Sequence, residues 1–573
     1  MEKQPALEAA RRGLEAWRAG ASANDFDGDR FFQRLLRRLL GPRAPAVEER
    51  CREVARQTGA DFSALVAESN RDENLPVLRR HDPDGRQVEE VVFHPAYHRV
   101  GREFWGSGVL ALLAEPGNEV ASGSLAYVLD RHGEAGHACP VACTAGAIKL
   151  LQKVGTADQR RCYLPGLLDP DYDRRIHAAQ FVTEVQGGSD VGLNACRAVP
   201  ESGRPGWYRI SGEKWFCSVA DAGLFVVSAR LDQAPPGTRG LSLFLLPRTL
   251  DGAPNGFAIR RLKYKLGTRS MATGEVEFDG ALGEAIGPLE GGFKNLVGIV
   301  LDTSRVHNAL AASGLMRRIQ VEAYHFAAHR VAFERPIVEF PAAQEFLARM
   351  KLRTMAALAT TFRILAMTDR IDTGAGDADL TAARRIAVMI NKYWTALAST
   401  RVARDGIEIL GGNGTIEDFS VLPRLYRDAI VVESWEGTHN TLCAQVLRDF
   451  AARGLQRPWL AELEREIGTI AHPELEAHRS RARGLLGEVS ERIAALLRTD
   501  ETMAAAQIRH VVDRMCRLTD WVALAQQAQW DLDHDGERES VDALELYALL
   551  ELERADPIGS PQLVALHRRF AAR

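Results

Sequence analysis

The order of its hydrophobic patterns is the feature that most limits the folds open to this 573-residue chain. Helix-like periodicity dominates residues 1–175, short strand-like runs with turn residues fill 176–290, and helix-like periodicity returns from 291 onward. A doubly wound nucleotide-binding fold needs strands that alternate with helices, and this order disfavours it. The chain also carries neither a GxGxxG motif after a strand nor a phosphate-binding P-loop. The sequence therefore predicts an α+β protein with most of its strands in one middle segment.

Individual segments carry these patterns. Leucines at 35, 36, 39 and 40 lie beside arginines at helical spacing and predict an amphipathic helix. The charged stretch 75–94, which contains His81-Asp82-Pro83-Asp84-Gly85, predicts an excursion or turn. Apolar runs or period-two alternation predict three strands in the middle segment, at Leu224–Val227, at Leu241–Leu245 and around Val276 and Phe278.

Two long helices are predicted in the third segment, because apolar residues recur at steps of three to five from Phe346 to Leu365 and again from Ile386 to Leu397. The second helix runs towards a glycine-rich stretch at 411–414 that can end it. A further helix-rich region follows Arg457-Pro458. These changes predict four domains: helical at 1–175, β at 176–290, a helical bundle at 291–452 and an extra C-terminal helical domain at 453–573.

Charge and cysteine usage narrow the class of protein. Lysine plus arginine number 72 and aspartate plus glutamate 76, which excludes a protein held to nucleic acid by a global basic field. Eight scattered cysteines include one close pair, Cys139 and Cys143, and favour free thiols in a reducing compartment over a zinc site. No apolar run approaches the ~20 residues that span a membrane, and the first residues have no apolar signal core. A cytoplasmic protein without a metal ion or membrane contact is expected.

Four distant segments carry patterns suited to a flat or anionic ligand. T-E-V-Q-G-G-S-D-V at 183–191 places two hydroxyls around a Gly-Gly turn, which can present backbone donors. The aromatic pair in K-W-F-C-S-V at 214–219 can wall a flat ring. The third segment, K-L-G-T-R-S at 265–270, precedes the predicted strand at Val276, and the fourth runs from Ile409 to Asn440. Taken singly, each also fits a polar surface turn or core packing.

Together the four segments resemble the acyl-CoA dehydrogenase family of flavoproteins, over roughly residues 90–450. L-P-R-L-Y-R at 422–427, W-E-G at 435–437 and the C-terminal helical extension resemble the AidB-like branch of that family. The resemblance implies an acyl-CoA dehydrogenase-like fold, with a helical N-terminal domain, a β middle domain and a C-terminal helical bundle. It also implies FAD as cofactor, an acyl-CoA substrate, a homodimer or homotetramer, and electron-transferring flavoprotein as the electron acceptor.

The resemblance assigns FAD contacts to positions that match the family's motifs. Cys217 stands where a threonine or serine is usual, and a thiol is a weak donor. Glu408 replaces a common glutamine, and a carboxylate near phosphate repels it unless protonated or turned away. Arg330 begins an Arg-x-x-Phe pattern that reaches the FAD pyrophosphate of a neighbouring subunit, as a guanidinium suits. The assigned cofactor contacts are Val182, Thr183, Ser189, Trp215, Phe216, Cys217, Arg330, Gln344, Glu408, Gly411, Gly412, Thr438 and Asn440.

The resemblance also implies a catalytic base, Glu436 in the W-E-G motif, and substrate contacts at Ser189, Arg305 and Trp435. The α-proton of an acyl thioester is weakly acidic, so its removal needs a carboxylate in a desolvated pocket and donors to the thioester oxygen. Some relatives carry the base on the helix that matches 302–305. Ser304 occupies that position here and cannot act as a base, which leaves Glu436 as the candidate.

Two other functions stay open from the sequence. The AidB branch is associated with the alkylation response and with DNA binding through its C-terminal helices. Residues 451–573 hold 16 arginines, no lysine and 21 acidic residues, a formal charge of −5, which makes nucleic-acid binding the weaker hypothesis. An acyl-CoA oxidase would use the same fold and base but pass electrons to oxygen, and no motif separates it from a dehydrogenase.

One further pattern resembles a calcium-binding loop. D-L-D-H-D-G at 531–536, followed by Asp542, has EF-hand spacing with Asp in place of the final bidentate Glu. Arg538 takes a position where such loops usually carry an aliphatic residue. An acidic turn between two helices is the favoured interpretation.

Overall fold

The secondary structure follows the predicted order of patterns. The computed structural model describes residues 5–22, 26–250, 252–553 and 558–571. The helices are α1 (Pro5–Ser22), α2 (Arg30–Leu40), α3 (Ala44–Gln57), α4 (Ala60–Ser69), α5 (Pro95–Gly106), α6 (Glu119–Asp130), α7 (Ala135–Val154), α8 (Ala157–Leu168), α9 (Gly292–Asn295), α10 (Leu301–His329), α11 (Pro341–Asp372), α12 (Ala378–Leu410), α13 (Leu422–Ser434), α14 (His439–Arg453), α15 (Gln456–Gly468), α16 (Glu476–Leu496), α17 (Glu501–His534), α18 (Glu539–Tyr547) and α19 (Pro561–Ala571).

The strands lie mainly between α8 and α9. They are β1 (Val77–His81), β2 (Gln87–Val92), β3 (Ala178–Phe181), β4 (Arg197–Pro200), β5 (Trp207–Ser218), β6 (Leu224–Leu231), β7 (Leu241–Pro247), β8 (Thr249–Leu250), β9 (Ala253–Pro254), β10 (Phe257–Leu262), β11 (Thr273–Ala285), β12 (Val331–Ala332) and β13 (Arg335–Pro336). The three strands predicted in the middle segment are β6, β7 and β11, and the α+β fold class is confirmed.

Contacts divide the chain into two compact units. The helical unit contains residues 1–60, 116–133 and 308–573, and the β unit contains 61–115 and 134–307. This division cuts across the four predicted domains, whose boundaries stay a prediction.

The large sheet of the β unit closes on itself. β5 pairs with β11 and β4, β6 pairs with β4 and β7, and β7 returns to β11. β10 and β3 extend it by pairing with β11 and β6. Aromatic side chains fill its interior: the Phe181 ring lies 4.7 Å from Phe225, which lies 5.5 Å from Phe257. The apolar runs that predicted β6 and β7 are buried along most of their length, so both faces of these two strands are covered.

The charged stretch 75–94 is a β-hairpin, where the sequence predicted only an excursion or turn. β1 and β2 pair antiparallel, and Asp82–Gly85 form the connection. β1 is mostly exposed, so it lacks the hydrophobic alternation by which strands are recognised. The buried carboxylate of Glu89 accepts the N–H of Ile259 at 2.7 Å, which fixes the hairpin to β10.

The two predicted long helices of the helical unit are α11 and α12. Their apolar stripes are buried, and the Phe362 ring of α11 lies 5.1 Å from Phe32 of α2. α12 ends at Gly411, whose φ of 61° lies in the left-handed region that favours glycine. The glycine stop predicted from sequence is therefore confirmed.

The C-terminal helices belong to the helical unit. Arg34 of α2 pairs with Asp531 at 3.1 Å and with Glu539 at 2.6 Å, and Lys351 of α11 pairs with Glu539 at 2.8 Å. These side chains are buried, and their ion pairs connect α17 and α18 to α2 and α11.

The 531–542 segment is not an EF-hand loop. Asp531 is a residue of α17, and its carboxylate is occupied by Arg34 and Ser540. The carboxylate of Asp542 binds Arg569. Within the described ranges no group of three or more His, Cys, Asp or Glu side chains could hold a metal ion. None of the eight cysteines, all of which lie in the described ranges, forms a disulfide bond. None of the described helices is both long enough and apolar enough to cross a membrane.

Candidate functional site

The predicted site residues fall into both units. The β unit contributes the turn after β3, the aromatic end of β5 and the start of α10. The helical unit contributes the end of α12, the connection between α13 and α14, and the β12–β13 hairpin with the start of α11.

A buried ion pair holds the turn after β3. The Lys214 ammonium lies 2.7 Å from the Glu184 carboxylate and also donates to the Val182 carbonyl at 3.2 Å. Glu184 accepts further hydrogen bonds from the N–H groups of Ala195 at 2.6 Å and Cys196 at 3.2 Å. Both charged groups are almost fully buried, so they fix the backbone of the 183–191 turn from its inner side.

The turn and β5 meet through the backbone. The N–H of Trp215 donates to the carbonyl of Thr183 at 2.8 Å. Thr183 is half-buried, whereas Ser189 is exposed. The two motifs therefore meet through this hydrogen bond, and their contacts with a cofactor stay a prediction.

The aromatic pair of β5 presents an accessible surface. Phe216 is 54% exposed and Trp215 is half-buried, and the Lys263 ammonium lies 3.4 Å from the centre of the Trp215 ring. Cys217 is fully buried, and burial raises the pKa of its thiol. Its predicted contact with a cofactor stays untested, and its side chain is not part of the exposed aromatic surface.

Ser304 and Arg305 lie in the first two turns of α10. Arg305 is buried. The Ser304 hydroxyl accepts a hydrogen bond from the side-chain amide of Gln180 on β3 at 3.1 Å. Ser304 therefore takes part in a polar contact and offers no carboxylate, as the sequence predicted.

Glu436 lies in the four-residue connection 435–438 between α13 and α14. Its φ is 57°, and that of Gly437 is 105°. Such a conformation costs a residue other than glycine about 1–3 kcal/mol, so surrounding contacts must hold it. Trp435 and Glu436 are half-buried, whereas Thr438 and Asn440 are exposed.

Lys392 of α12 supplies contacts on both sides of Glu436. Its ammonium donates to the carbonyl of Glu433 at 2.8 Å and to that of Gly437 at 2.9 Å. The residue is 0% exposed. The end of α13 and the second half of the connection to α14 are thus tied to one point on α12.

The side chain of Glu433 adds a second set of contacts. It pairs with the His439 ring at 2.7 Å and accepts a hydrogen bond from the Thr400 hydroxyl. Burial opposes ionisation of Glu433, but these hydrogen bonds and the charges of His439 and Lys392 outweigh it and lower its pKa. An ionised Glu433 therefore links α12, α13 and the first residue of α14.

The end of α12 forms an open glycine loop. Glu408, Gly411 and Gly412 are exposed, and a Cβ atom added at either glycine would meet nothing within 4 Å. The backbone here can be approached closely by a ligand.

The β12–β13 hairpin projects from the helical unit. Arg330 is exposed at its base, and Phe333 at its tip is 90% exposed. Gln344, in the first turns of α11, donates through Nε2 to the Val338 carbonyl at 3.0 Å. Its Oε1 atom is buried and has no hydrogen-bond partner among the described residues. A buried acceptor without a donor is costly, which fits a site completed by a bound group.

Comparisons with known proteins identify the family. Three family models match: the AidB N-terminal domain at residues 18–174, the acyl-CoA dehydrogenase middle domain at 179–281 and the acyl-CoA dehydrogenase C-terminal domain at 290–450. The putative acyl-CoA dehydrogenase AidB of Escherichia coli (strain K12) is 35% identical over 390 residues, which are 65% of this chain and 69% of that protein.

Two solved structures share the fold. ACDH-11 of Caenorhabditis elegans in complex with C11-CoA has a TM-score of 0.82 and 24% identity, over 96% of this chain and 91% of that one. An acyl-CoA dehydrogenase of Bacillus anthracis complexed with FAD has a TM-score of 0.69 and 19% identity, over 83% and 89%.

The chain belongs to the acyl-CoA dehydrogenase family and is therefore an oxidoreductase. Its N-terminal segment is of the AidB type. The predicted family, enzyme class and FAD cofactor are confirmed at the level of the family.

Sequence reasoning missed four charged residues that shape these segments. Glu184 and Lys214 lie inside the two motifs that were quoted, so their opposite charges were a readable signal. Lys392 lies in the middle of the long helix α12 and Glu433 near the end of α13, and nothing in the local sequence marks either of them. Their role depends on contacts between α12, α13 and α14.

Proposed function

We propose that this protein is an FAD-dependent dehydrogenase of acyl-CoA thioesters, with Glu436 as the base that removes the α-proton. The observation that supports this most is the position of Glu436, a carboxylate on a short connection whose strained backbone is held by a buried ammonium. Ser304 cannot replace it, which leaves one carboxylate at the family's two base positions.

The described residues fit FAD in their chemistry. The orphaned Oε1 of Gln344 accepts a donor, the Gly411–Gly412 backbone is open to a diphosphate group, and the exposed Phe216 and half-buried Trp215 offer an apolar surface to a flat ring. Bound FAD supplies the oxidant that takes up the β-hydrogen as hydride. The same proposed set of cofactor contacts includes the following residues: Val182, Thr183, Ser189, Cys217, Glu408, Thr438 and Asn440.

The protein's own part in the reaction is to take a proton and hold the thioester. Glu436 takes the α-proton, and its backbone N–H and other donors stabilise negative charge on the thioester oxygen. Trp435 walls the site, and Ser189 and Arg305 contact the substrate.

The proposal also includes a second subunit, an electron acceptor and a cellular compartment. The exposed Arg330 and Phe333 suit contact with a second subunit of a homodimer or homotetramer, where the guanidinium would meet the FAD pyrophosphate. Electron-transferring flavoprotein is the proposed electron acceptor, and the cytoplasm is the proposed compartment.

The DNA-binding alternative receives no support from the C-terminal helices. Two arginines of these helices are paired with carboxylates: Arg479 with Glu476, and Arg481 with Glu553. Paired guanidinium groups displace fewer counterions from DNA than free ones.

The proposal is tested by the visible spectrum of the purified protein and its anaerobic bleaching by a panel of acyl-CoA thioesters. Wild type should be yellow and bleached by at least one thioester, and Glu436→Gln should be yellow but not bleached. Glu488→Gln, an exposed glutamate on α16, is the matched control and should bleach like wild type. A colourless protein that takes up no FAD, or a Glu436→Gln variant that bleaches at the wild-type rate, would overturn the proposal. Peroxide formation with oxygen instead of dye reduction would assign an oxidase.

A further inference from the structure

We propose that Lys392 is a positioning residue for Glu436, which holds the base in its left-handed conformation by anchoring the backbone on both sides of it. This inference rests on the proposed role of Glu436. Lys392 acts through the carbonyls of Glu433 and Gly437 and does not itself contact substrate.

The geometry of the anchor sets it apart from an ordinary packing contact. Two of the three ammonium donors are directed at carbonyls four residues apart, one in the last turn of α13 and one in the 435–438 connection. The strained residue, Glu436, lies between them. Charge-assisted hydrogen bonds are stronger than neutral ones, so they can hold a strained backbone conformation.

The energetic cost of burying the Lys392 ammonium also supports an anchoring role for this residue. Burying an ammonium carries a large desolvation penalty, which hydrogen bonds and a nearby carboxylate offset only in part. The Glu433 carboxylate lies near enough for the ammonium to lower its pKa, and is in turn held by His439 and Thr400. An apolar residue would fill this place in a helix at lower cost if only packing were required.

The contacts of α12 also predict which step should slow when Lys392 is replaced. Lys392 and Thr400 belong to one rigid helix, α12, and both contact α13 through Glu433. His439 begins α14. Displacing the connection by about 1 Å would cost on the order of 100-fold in the chemical step while leaving binding of cofactor and substrate largely intact.

The test compares Lys392→Met with Lys351→Met, another buried lysine, which pairs with Glu539 and donates to the Phe570 carbonyl. Three quantities are measured on the full-length holoenzyme: FAD content, the Kd of a thioester that is not oxidised, and the rate constant of anaerobic flavin reduction. Hydrogen–deuterium exchange of a peptide that spans 433–441 is measured on the apoprotein.

Lys392→Met should keep its FAD content and its thioester Kd within about threefold of wild type, reduce flavin about 100-fold more slowly, and exchange faster at 433–441. Lys351→Met should lower thermal stability and leave reduction and exchange of that peptide unchanged. Equal reduction rates and equal exchange in Lys392→Met and wild type would overturn the proposal.

If Lys392→Met does not fold, Lys392→Gln, which keeps a polar side chain but carries no ammonium, takes its place and should give the same pattern with a smaller loss of rate. Wild-type rate and wild-type exchange in Lys392→Gln would overturn the proposal. If no thioester bleaches the wild type, the proposed function fails, whereas unchanged exchange in Lys392→Met would remove the anchoring role itself.

Discussion

The ammonium of Lys214 lies 2.7 Å from the carboxylate of Glu184, and both groups are buried. The pair joins β5 to the turn after β3, which carries Thr183 and Ser189. The two residues of this pair belong to the motifs at 183–191 and 214–219. We therefore expect its main effect to be on the backbone conformation of the 183–191 turn.

Breaking this pair should destabilise the protein and weaken FAD binding. Lys214→Met leaves a buried carboxylate without its counter-charge, and we expect a loss of about 3–5 kcal/mol. Urea unfolding, followed by tryptophan fluorescence, and FAD titration measure the two effects. Asp232→Asn, which breaks the exposed pair with Arg197 in the same unit, should change the free energy of unfolding by less than about 1 kcal/mol. Equal effects of the two variants would contradict this account.

Two substitutions in the glycine loop after α12 should separate an effect on stability from an effect on FAD binding. Gly411→Ala should cost about 1–3 kcal/mol of stability, because a φ of 61° is strained for alanine. Gly412→Ala should leave stability unchanged, since its Cβ meets nothing, yet lower FAD affinity by roughly tenfold, or about 1.4 kcal/mol, if the diphosphate lies there.

Gly484→Ala on α16 is the control for Gly412→Ala, because its Cβ also meets nothing in the structure. Thermal unfolding of the apoprotein and fluorescence titration with FAD measure the effects. An unchanged FAD affinity in Gly412→Ala would remove this loop from the proposed cofactor site.

Glu539 should make stability depend on pH. Burial acts to raise its pKa, but Lys351 and Arg34 outweigh burial and lower the pKa to about 2. An acid whose pKa is lower in the folded state stabilises the fold above its unfolded pKa of about 4.3, and this stabilisation is lost as the pH falls towards 2.

Glu539→Gln should therefore be less stable than wild type near neutral pH by on the order of 3 kcal/mol, and the gap should shrink below about pH 4.3. Thermal unfolding followed by circular dichroism at several pH values measures this gap. Glu488→Gln replaces an exposed glutamate on α16, and its stability difference from wild type should not vary with pH. A gap that stays constant with pH would contradict the role given to this ion cluster.

Local pattern was enough to predict much of the fold. The runs at 224–227 and 241–245 have the apolar composition of buried strands, and the stripe from Phe346 to Leu365 has helical spacing, so β6, β7 and α11 follow from the sequence. The β1–β2 hairpin does not, because its first strand faces solvent and shows no alternation.

The rest of the fold depends on contacts between residues that are far apart in the sequence, and local patterns do not reveal such contacts. Arg34 meets Asp531 across nearly the whole chain, and no local pattern indicates that α2 and α17 share one compact unit. The motif residues of the site were recognisable as a family resemblance. Lys392 was not, because its role exists only after α12, α13 and α14 have packed.

The central claim is that Glu436 removes the α-proton of an acyl-CoA thioester. The most direct measurement is the rate constant of anaerobic flavin reduction in a single turnover, with thioesters deuterated at the α-carbon or the β-carbon, for wild type and Glu436→Gln. We expect both deuterated substrates to slow the wild type, and Glu436→Gln to bind the same thioester but reduce flavin at least about 1,000-fold more slowly. Reduction of flavin by Glu436→Gln at the wild-type rate would contradict the account.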